Sequence, residues 1–289
     1  MPLTHTRTFR VRFYECDANG HLNSANYLRY MQETAFDASA AAGYDLERYN
    51  ILGCFWLIRE SQVEYLRPLR YGDRVDITTW IADFRKVTSR RAYEFHQGPD
   101  LVARAFTDWV FINAQTGLPV AIPAQLGQDF FPEGVPTTFP PRQPFPKAPA
   151  PPEGAFSMHR GVAWQDIDSM RHVNNAVYMN FASEAGFQAA ASAGWPWTRM
   201  NENGFTVFVR RAHVQYLQPA LPGDELQITT WFSNIRRSLA NRHYEIRRLS
   251  DGALLSQVFT LSVWVSLETG QPVRIPQQFL ADIAPQIAA

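Results

Sequence analysis

Asp17-Ala18-Asn19-Gly20-His21 sets a carboxylate, a carboxamide and an imidazole at two- and four-residue steps. A carboxylate can attack an electrophilic carbonyl or activate water against it. Asn19 and His21 are spaced so that a turn brings them beside Asp17, and Gly20 allows close backbone approach. Asn23 or Ser24 is a natural helix N-cap. The N–H groups and positive dipole of the helix start would polarise a carbonyl oxygen as an oxyanion hole does. Asp17 must be ionised for either role; a helix N-terminus and a His neighbour favour that, and burial opposes it. Asp, Asn and Ser ahead of a helix are also ordinary capping residues, so the motif alone is open to a purely structural reading.

The motif has a second copy. Residues 13–30 align with 164–181 so that Asp17 falls on Asp168, His21 on His172, Asn23 on Asn174 and Tyr27 on Tyr178, a shift of 151. The register continues through Glu33 and Glu184, Gly43 and Gly194, Tyr65-Leu66 and Tyr216-Leu217, and Tyr93-Glu94 and Tyr244-Glu245. A period this long means duplicated domains, expected over 1–131 and 156–289. Between them, residues 132–152 hold nine of the twenty prolines, so 132–155 is expected to be an extended linker. One position breaks the copy: Met170 stands where Asn19 does, and a thioether cannot bond as an amide. The first repeat is therefore the stronger candidate site.

The elements that must hold these residues are legible within one repeat. Residues 7–14 alternate as a strand, and 24–42 carry an apolar stripe of Ala25, Leu28, Met31, Ala35, Ala38 and Ala42 at helical steps, stopped by Gly43. Strands follow over 54–67, 74–85, 88–97 and 101–113, and their short connections imply an antiparallel sheet. The second helix is expected near 175–193. The class is α+β, one long helix on one sheet in each repeat, with the two repeats expected to pair about a pseudo-two-fold axis.

Other features bound the function. Basic and acidic residues balance at 27 each, so no field draws nucleic acid or an anionic membrane. Cys16 and Cys54 form no C-x-x-C pair, the N-terminus lacks a signal-like apolar core and no run spans a membrane, so a cytoplasmic protein is expected. The remaining His residues have no ligand spacing, and there is no phosphate loop or G-x-S-x-G elbow, so neither metal, cofactor nor serine chemistry is expected. Arg85-Lys86, Arg90-Arg91, Arg236-Arg237 and Arg242 cluster near strand turns, where they would hold the phosphates of a ligand, meet an acidic partner, or stand solvated. Glu33 and Glu184 are read as solvated helix carboxylates, with a supporting role as the alternative. Phe55, Trp56, Phe205 and Phe208 are the aromatic positions able to set pocket depth.

The strand–motif–helix–sheet order resembles the hotdog-fold thioesterases of the 4-hydroxybenzoyl-CoA and acyl-ACP thioesterase group. His172-Val173-Asn174-Asn175-Ala176-Val177-Tyr178 is similar to the plant acyl-ACP thioesterase motif, and Asp17, Asn19 and His21 match the residues that motif uses for catalysis. The resemblance implies two tandem hotdog domains, each a long helix wrapped by a curved antiparallel sheet, paired as a pseudo-dimer with sites at the seam. It implies hydrolysis of an acyl-CoA or acyl-ACP, with Asp17, Asn19, His21, Asp168 and His172 catalytic and Gly20, Asn23, Tyr27, Arg90 and Arg91 meeting substrate. A monomer or a homodimer fits. A hotdog hydratase is the second reading, although its Asp–His spacing is five and includes a proline, against four here. A non-catalytic acyl-thioester binder is the third.

Overall fold

The computed structural model describes every residue except Thr137, Pro140 and Ala289. The first two belong to the expected linker and the third to the expected second domain, so at those positions the expectation lies outside the described residues. The chain divides into two compact units, Met1–Pro144 and Phe145–Ala289.

The N-terminal unit runs β1 (Thr4–Arg10), α1 (Ser24–Ala41), α2 (Leu46–Leu52), β2 (Cys54–Tyr65), β3 (Arg74–Phe84), β4 (Thr88–Gln97), β5 (Asp100–Asn113) and α3 (Ala124–Phe130). Its strands lie in the order β1-β3-β4-β5-β2, all antiparallel. Alternation dictates the buried face: Val75, Ile77, Thr79 and Ile81 all point inward from β3. The apolar stripe of α1 meets this layer, with Ala25, Leu28, Met31, Ala35 and Ala38 buried against β1 and β3. Asn23 caps α1 by accepting the Ala25 N–H at 2.9 Å, and Gly43 ends it at φ +85°.

The expected strand over 7–14 is corrected: β1 stops at Arg10, and Phe13–Glu15 forms a 3-10 turn with Phe13 and Tyr14 exposed. The buried Glu15 carboxylate causes the turn. It accepts the Arg12 N–H at 2.8 Å and the Tyr30 hydroxyl at 2.5 Å, which no continuing strand allows.

The C-terminal unit repeats the order: β6 (Phe156–Gly161), α4 (Val177–Ser192), α5 (Trp197–Glu202), β7 (Phe205–Tyr216), β8 (Glu225–Ser233), β9 (Leu239–Arg248), β10 (Leu254–Ser266) and α6 (Gln277–Asp282). Its antiparallel order is β7-β10-β9-β8-β6, and α4 packs on β6, β8 and β10. Helices α2, α3, α5 and α6 are too short to show periodicity in sequence. They close aromatic cores, around Tyr44, Phe111 and Phe130 in one unit and Trp195, Trp264 and Phe279 in the other. Residues 141–150 carry no helix or strand. No helix among the described residues is long and apolar enough to cross a membrane.

Candidate active site

Between the 3-10 turn and α1, the Asp17 motif folds around its own carboxylate. The Asp17 N–H donates to the His21 carbonyl at 2.8 Å, and the Gly20 N–H to the Asp17 carbonyl at 2.9 Å. Asp17 Oδ1 accepts the Asn19 N–H at 2.9 Å and the His21 N–H at 3.1 Å. Gly20 sits at φ +74°, where a side chain is strained. The turn thus sets Asp17, Asn19 and His21, all partly buried, on one closed loop. Oδ1 is committed to the backbone; Oδ2 has no hydrogen-bond partner among the described residues. Burial, then Arg70, pushes His21 below its usual value, and Asp17 opposes this less, so the ring is neutral at neutral pH.

A shell that the sequence reading missed holds this loop. The Glu15 carbonyl accepts the Asn23 N–H at 2.9 Å and Asn26 Nδ2 at 2.8 Å. Arg29 Nη1 donates to Asn26 Oδ1 at 2.6 Å. Tyr65 pins the helix start by donating to the Ser24 carbonyl at 3.2 Å. Glu15 had a signal, since the second repeat has Asp166 at the same place. Asp166 also closes its turn, accepting the Ala163 N–H at 2.9 Å and Arg160 Nη2 at 2.6 Å. The donors swap sides between repeats. Tyr30 of α1 serves Glu15 and stacks on Phe9 of β1, whereas Arg160 of β6 serves Asp166 and lies over Phe181 of α4.

In the second repeat the loop is similar but its carboxylate is more occupied. Asp168 Oδ1 accepts the Met170 N–H at 2.9 Å, and Asp168 Oδ2 accepts Asn174 Nδ2 at 3.1 Å. His172 Nδ1 lies 3.9 Å from Asp168 Oδ1 and 3.2 Å from the Val173 carbonyl. Met170 is half exposed, and Arg171 takes the left-handed backbone position that Gly20 fills, at φ +63°.

Several expected substrate residues are placed elsewhere. Tyr27 is buried, edge-on to Tyr65 and beside Phe95, and burial raises its phenol far above the usual value; it is a packing residue. Asn23 uses Oδ1 to cap α1. Arg90 and Arg91, expected to meet substrate or to stand solvated at a strand end, are both buried. Arg90 places Nε and Nη2 on Asp108 at 2.7 and 2.6 Å, which occupies the fork a phosphate would need. Arg242, equivalent to Arg91, is buried as well, whereas Arg85, Lys86, Arg236 and Arg237 are exposed. Alternation sets Arg91 and Arg242 on the rails of the buried Tyr93 and Tyr244, whereas Arg90, one residue earlier, lies on the opposite face of β4, where Asp108 pairs with it. Glu33 and Glu184 are exposed on their helices, meeting Arg7 and Gln188. Among the described residues no three His, Cys, Asp or Glu stand together as a metal site.

The sequence pattern of the thioesterase-like superfamily matches residues 11–130 and 162–283, the strand–loop–helix–sheet body of each unit. The chain belongs to the thioesterase-like superfamily. Among curated relatives, a chloroplastic acyl-[acyl-carrier-protein] hydrolase of Cuphea viscosissima is 27% identical over 197 residues, 63% of this chain and 47% of the relative. The chain thus spans about half the length of the curated relatives it matches. A candidate oleoyl thioesterase of Lactobacillus plantarum superposes with a TM-score of 0.79 at 18% identity, covering 91% of this chain and 96% of that one. The 12:0-ACP thioesterase of Umbellularia californica does so at 0.71 and 18%, covering 90% and 93%. This member of the superfamily therefore has the tandem hotdog fold.

Proposed function

We propose that this protein hydrolyses acyl thioesters of coenzyme A or acyl carrier protein, with Asp17 as the acting carboxylate. The observation that carries the reading is the division of labour on Asp17. Oδ1 is tied down by two backbone N–H groups while Oδ2 stays unengaged, on a loop that also presents Asn19 and a neutral His21. An oriented, unengaged carboxylate oxygen suits attack on the thioester carbonyl or deprotonation of a water aimed at it. Attack would join Oδ2 to the acyl carbon and expel thiolate; water would then cleave the anhydride. The names of the relatives, acyl-ACP hydrolases, support the substrate class. Asp168 and His172 form a second, less available set, since Asp168 Oδ2 is held by Asn174. The reading includes a cytoplasmic location, domains at 1–131 and 156–289 joined by 132–155, and a monomer or homodimer.

The test is thiol release from short, long and aromatic acyl-CoAs, and from acyl-ACP, by wild type, Asp17→Asn and Asp168→Asn. We expect Asp17→Asn to lower kcat/KM by roughly 100-fold or more, and Asp168→Asn by less than about fivefold. Full turnover by Asp17→Asn would remove Asp17 from the chemistry. Hydration of an enoyl-CoA without thiol release would move the protein to the hydratase class.

A further inference from the structure

The C-terminal unit contains a cavity between α4 and the inner face of β7, β9 and β10, with about 600 Å³ of empty space, solvent at its mouth included. Its walls are mostly apolar, among them Met179, Ala182 and Phe208. One charged residue lines it: Arg242, 7% exposed. Nε of Arg242 donates to Thr230 Oγ1 at 3.0 Å, and the guanidinium lies 4.4 Å over the Phe232 ring. Nη2 is buried with no acceptor among the described residues, and no carboxylate pairs with Arg242. Two more buried groups on the same walls, Thr260 Oγ1 and Trp264 Nε1, also lack partners.

A guanidinium stays charged when buried, and a buried charge is stable only with a counter-charge or hydrogen bonds to it. Arg90 in the other unit satisfies this with both oxygens of Asp108. Arg242 has no such partner, and the other unpaired groups on these walls are an indole donor and a hydroxyl that can donate. The wall therefore lacks an acceptor carrying negative charge. A carboxylate fits best: it carries one charge and accepts hydrogen bonds from a guanidinium. A phosphate would call for more cationic groups than this lining has.

Three residues that frame this space are smaller than their counterparts in the N-terminal unit. Gly186 lies inside α4, where glycine is disfavoured, and an added Cβ would meet Tyr244 Oη at 3.1 Å and Arg242 Nη1 at 3.5 Å. Its counterpart in α1 is Ala35. In the N-terminal unit Tyr49 lies near Arg91 and accepts the Trp56 indole N–H at 3.0 Å; the C-terminal counterparts are Met200 and Val207, both lining the cavity. Smaller residues at these three places leave the room over Arg242.

We propose that this cavity binds an amphipathic carboxylate, with its acyl or aryl body among the apolar walls and its carboxylate against the Arg242 guanidinium. That carboxylate belongs either to a free acid or to the far end of an ω-carboxyacyl thioester. Binding does not require Asp17 chemistry.

The experiment titrates the full chain calorimetrically with octanoate and octanamide, in wild type, Arg242→Met and Gly186→Leu, each checked by circular dichroism and melting. Wild type is expected to bind octanoate roughly tenfold or more tighter than octanamide. Arg242→Met should abolish that preference while keeping octanamide affinity within about twofold, and Gly186→Leu should exclude both ligands by filling the cavity. Equal binding of octanoate and octanamide by wild type, binding of neither, or an unchanged preference in folded Arg242→Met overturns the proposal. Should Arg242→Met not fold, the wild-type preference and its loss in Gly186→Leu decide. Turnover of octanoyl-CoA and suberyl-CoA separates the sources. A roughly tenfold fall in kcat/KM confined to suberyl-CoA in Arg242→Met assigns the carboxylate to the substrate. Unchanged turnover with lost octanoate binding assigns it to a free acid. If neither thioester is cleaved, the hydrolytic reading fails and the titration still judges the site.

Discussion

At the scale of the residue, the two motif loops differ in how their backbones and carboxylates are used. Gly20 and Arg171 occupy the same left-handed position, at φ +74° and +63°. Glycine adopts it freely; an arginine there carries about 1 kcal/mol of steric strain. Arg171 is exposed, and its side chain makes no hydrogen bond or ion pair among the described residues that would offset this. Arg171→Gly is therefore expected to stabilise the protein by about 0.5 kcal/mol, part of the relief being offset by the greater entropy of the unfolded glycine. Urea unfolding of the two proteins measures this, and a midpoint that stays or falls contradicts the strain. The carboxylates differ more consequentially. Asn174 holds Asp168 Oδ2, whereas Asp17 Oδ2 has no equivalent bond.

At the scale of the element, a segment without helix or strand fastens the end of a strand. Asp83 stands just past a bulge in β3, opposite Arg90 of β4, with its side chain 2% exposed. Arg142 reaches it with Nε at 2.9 Å from Oδ2 and with Nη2 at Oδ1, and places Nη1 3.5 Å from Asp108. Asp108 in turn takes the Arg90 fork, so two carboxylates and two guanidiniums form one nearly buried network. Removing one member leaves a buried charge short of its partner, which costs more than the intact pair contributes. Arg142→Ala should destabilise the protein by about 2–3 kcal/mol, reduced from the fully buried case because the Arg142 side chain is 18% exposed. Asp83→Ala with Arg142→Ala should cost less than the sum of the single changes. Denaturant melts of the four proteins in this cycle check both statements, and additive losses would mean that the contacts act independently.

At the scale of the whole molecule, one frame is used twice with different interiors. Both units have the capped loop, the tyrosine pinning the helix start and the acid that closes the preceding turn. The N-terminal unit has the D-x-N-x-H loop and large side chains near Arg91; the C-terminal unit has the occupied carboxylate and the open cavity. If Asn174 is what silences Asp168, restoring the missing amide should not awaken the second loop. Met170→Asn, placed in the Asp17→Asn background, is expected to change thiol release by less than about twofold. A recovery of tenfold would show that position 170 alone set the difference.

The 151-residue register, the long helices and most strand positions were legible in the sequence, because each rests on local information: a repeat, a 3.6-residue stripe, a two-residue alternation. The same reasoning found Asp17, Asn19 and His21 and marked Met170 as the break in the copy. It carried the first strand too far, through Phe13 and Tyr14, because the turn there depends on Tyr30, fifteen residues beyond the Glu15 it serves. It offered Arg90 and Arg91 to substrate or to solvent and did not foresee their burial, since composition shows charge and not the partner that allows charge to be buried. Only the tertiary structure brought Asp108 and Arg142 to the buried charges, left Asp17 Oδ2 without a hydrogen bond among the described residues, and opened the space over Arg242 by setting Gly186, Met200 and Val207 around it. Periodicity tells a side chain which way to face; what it meets there is decided by residues far away in the chain.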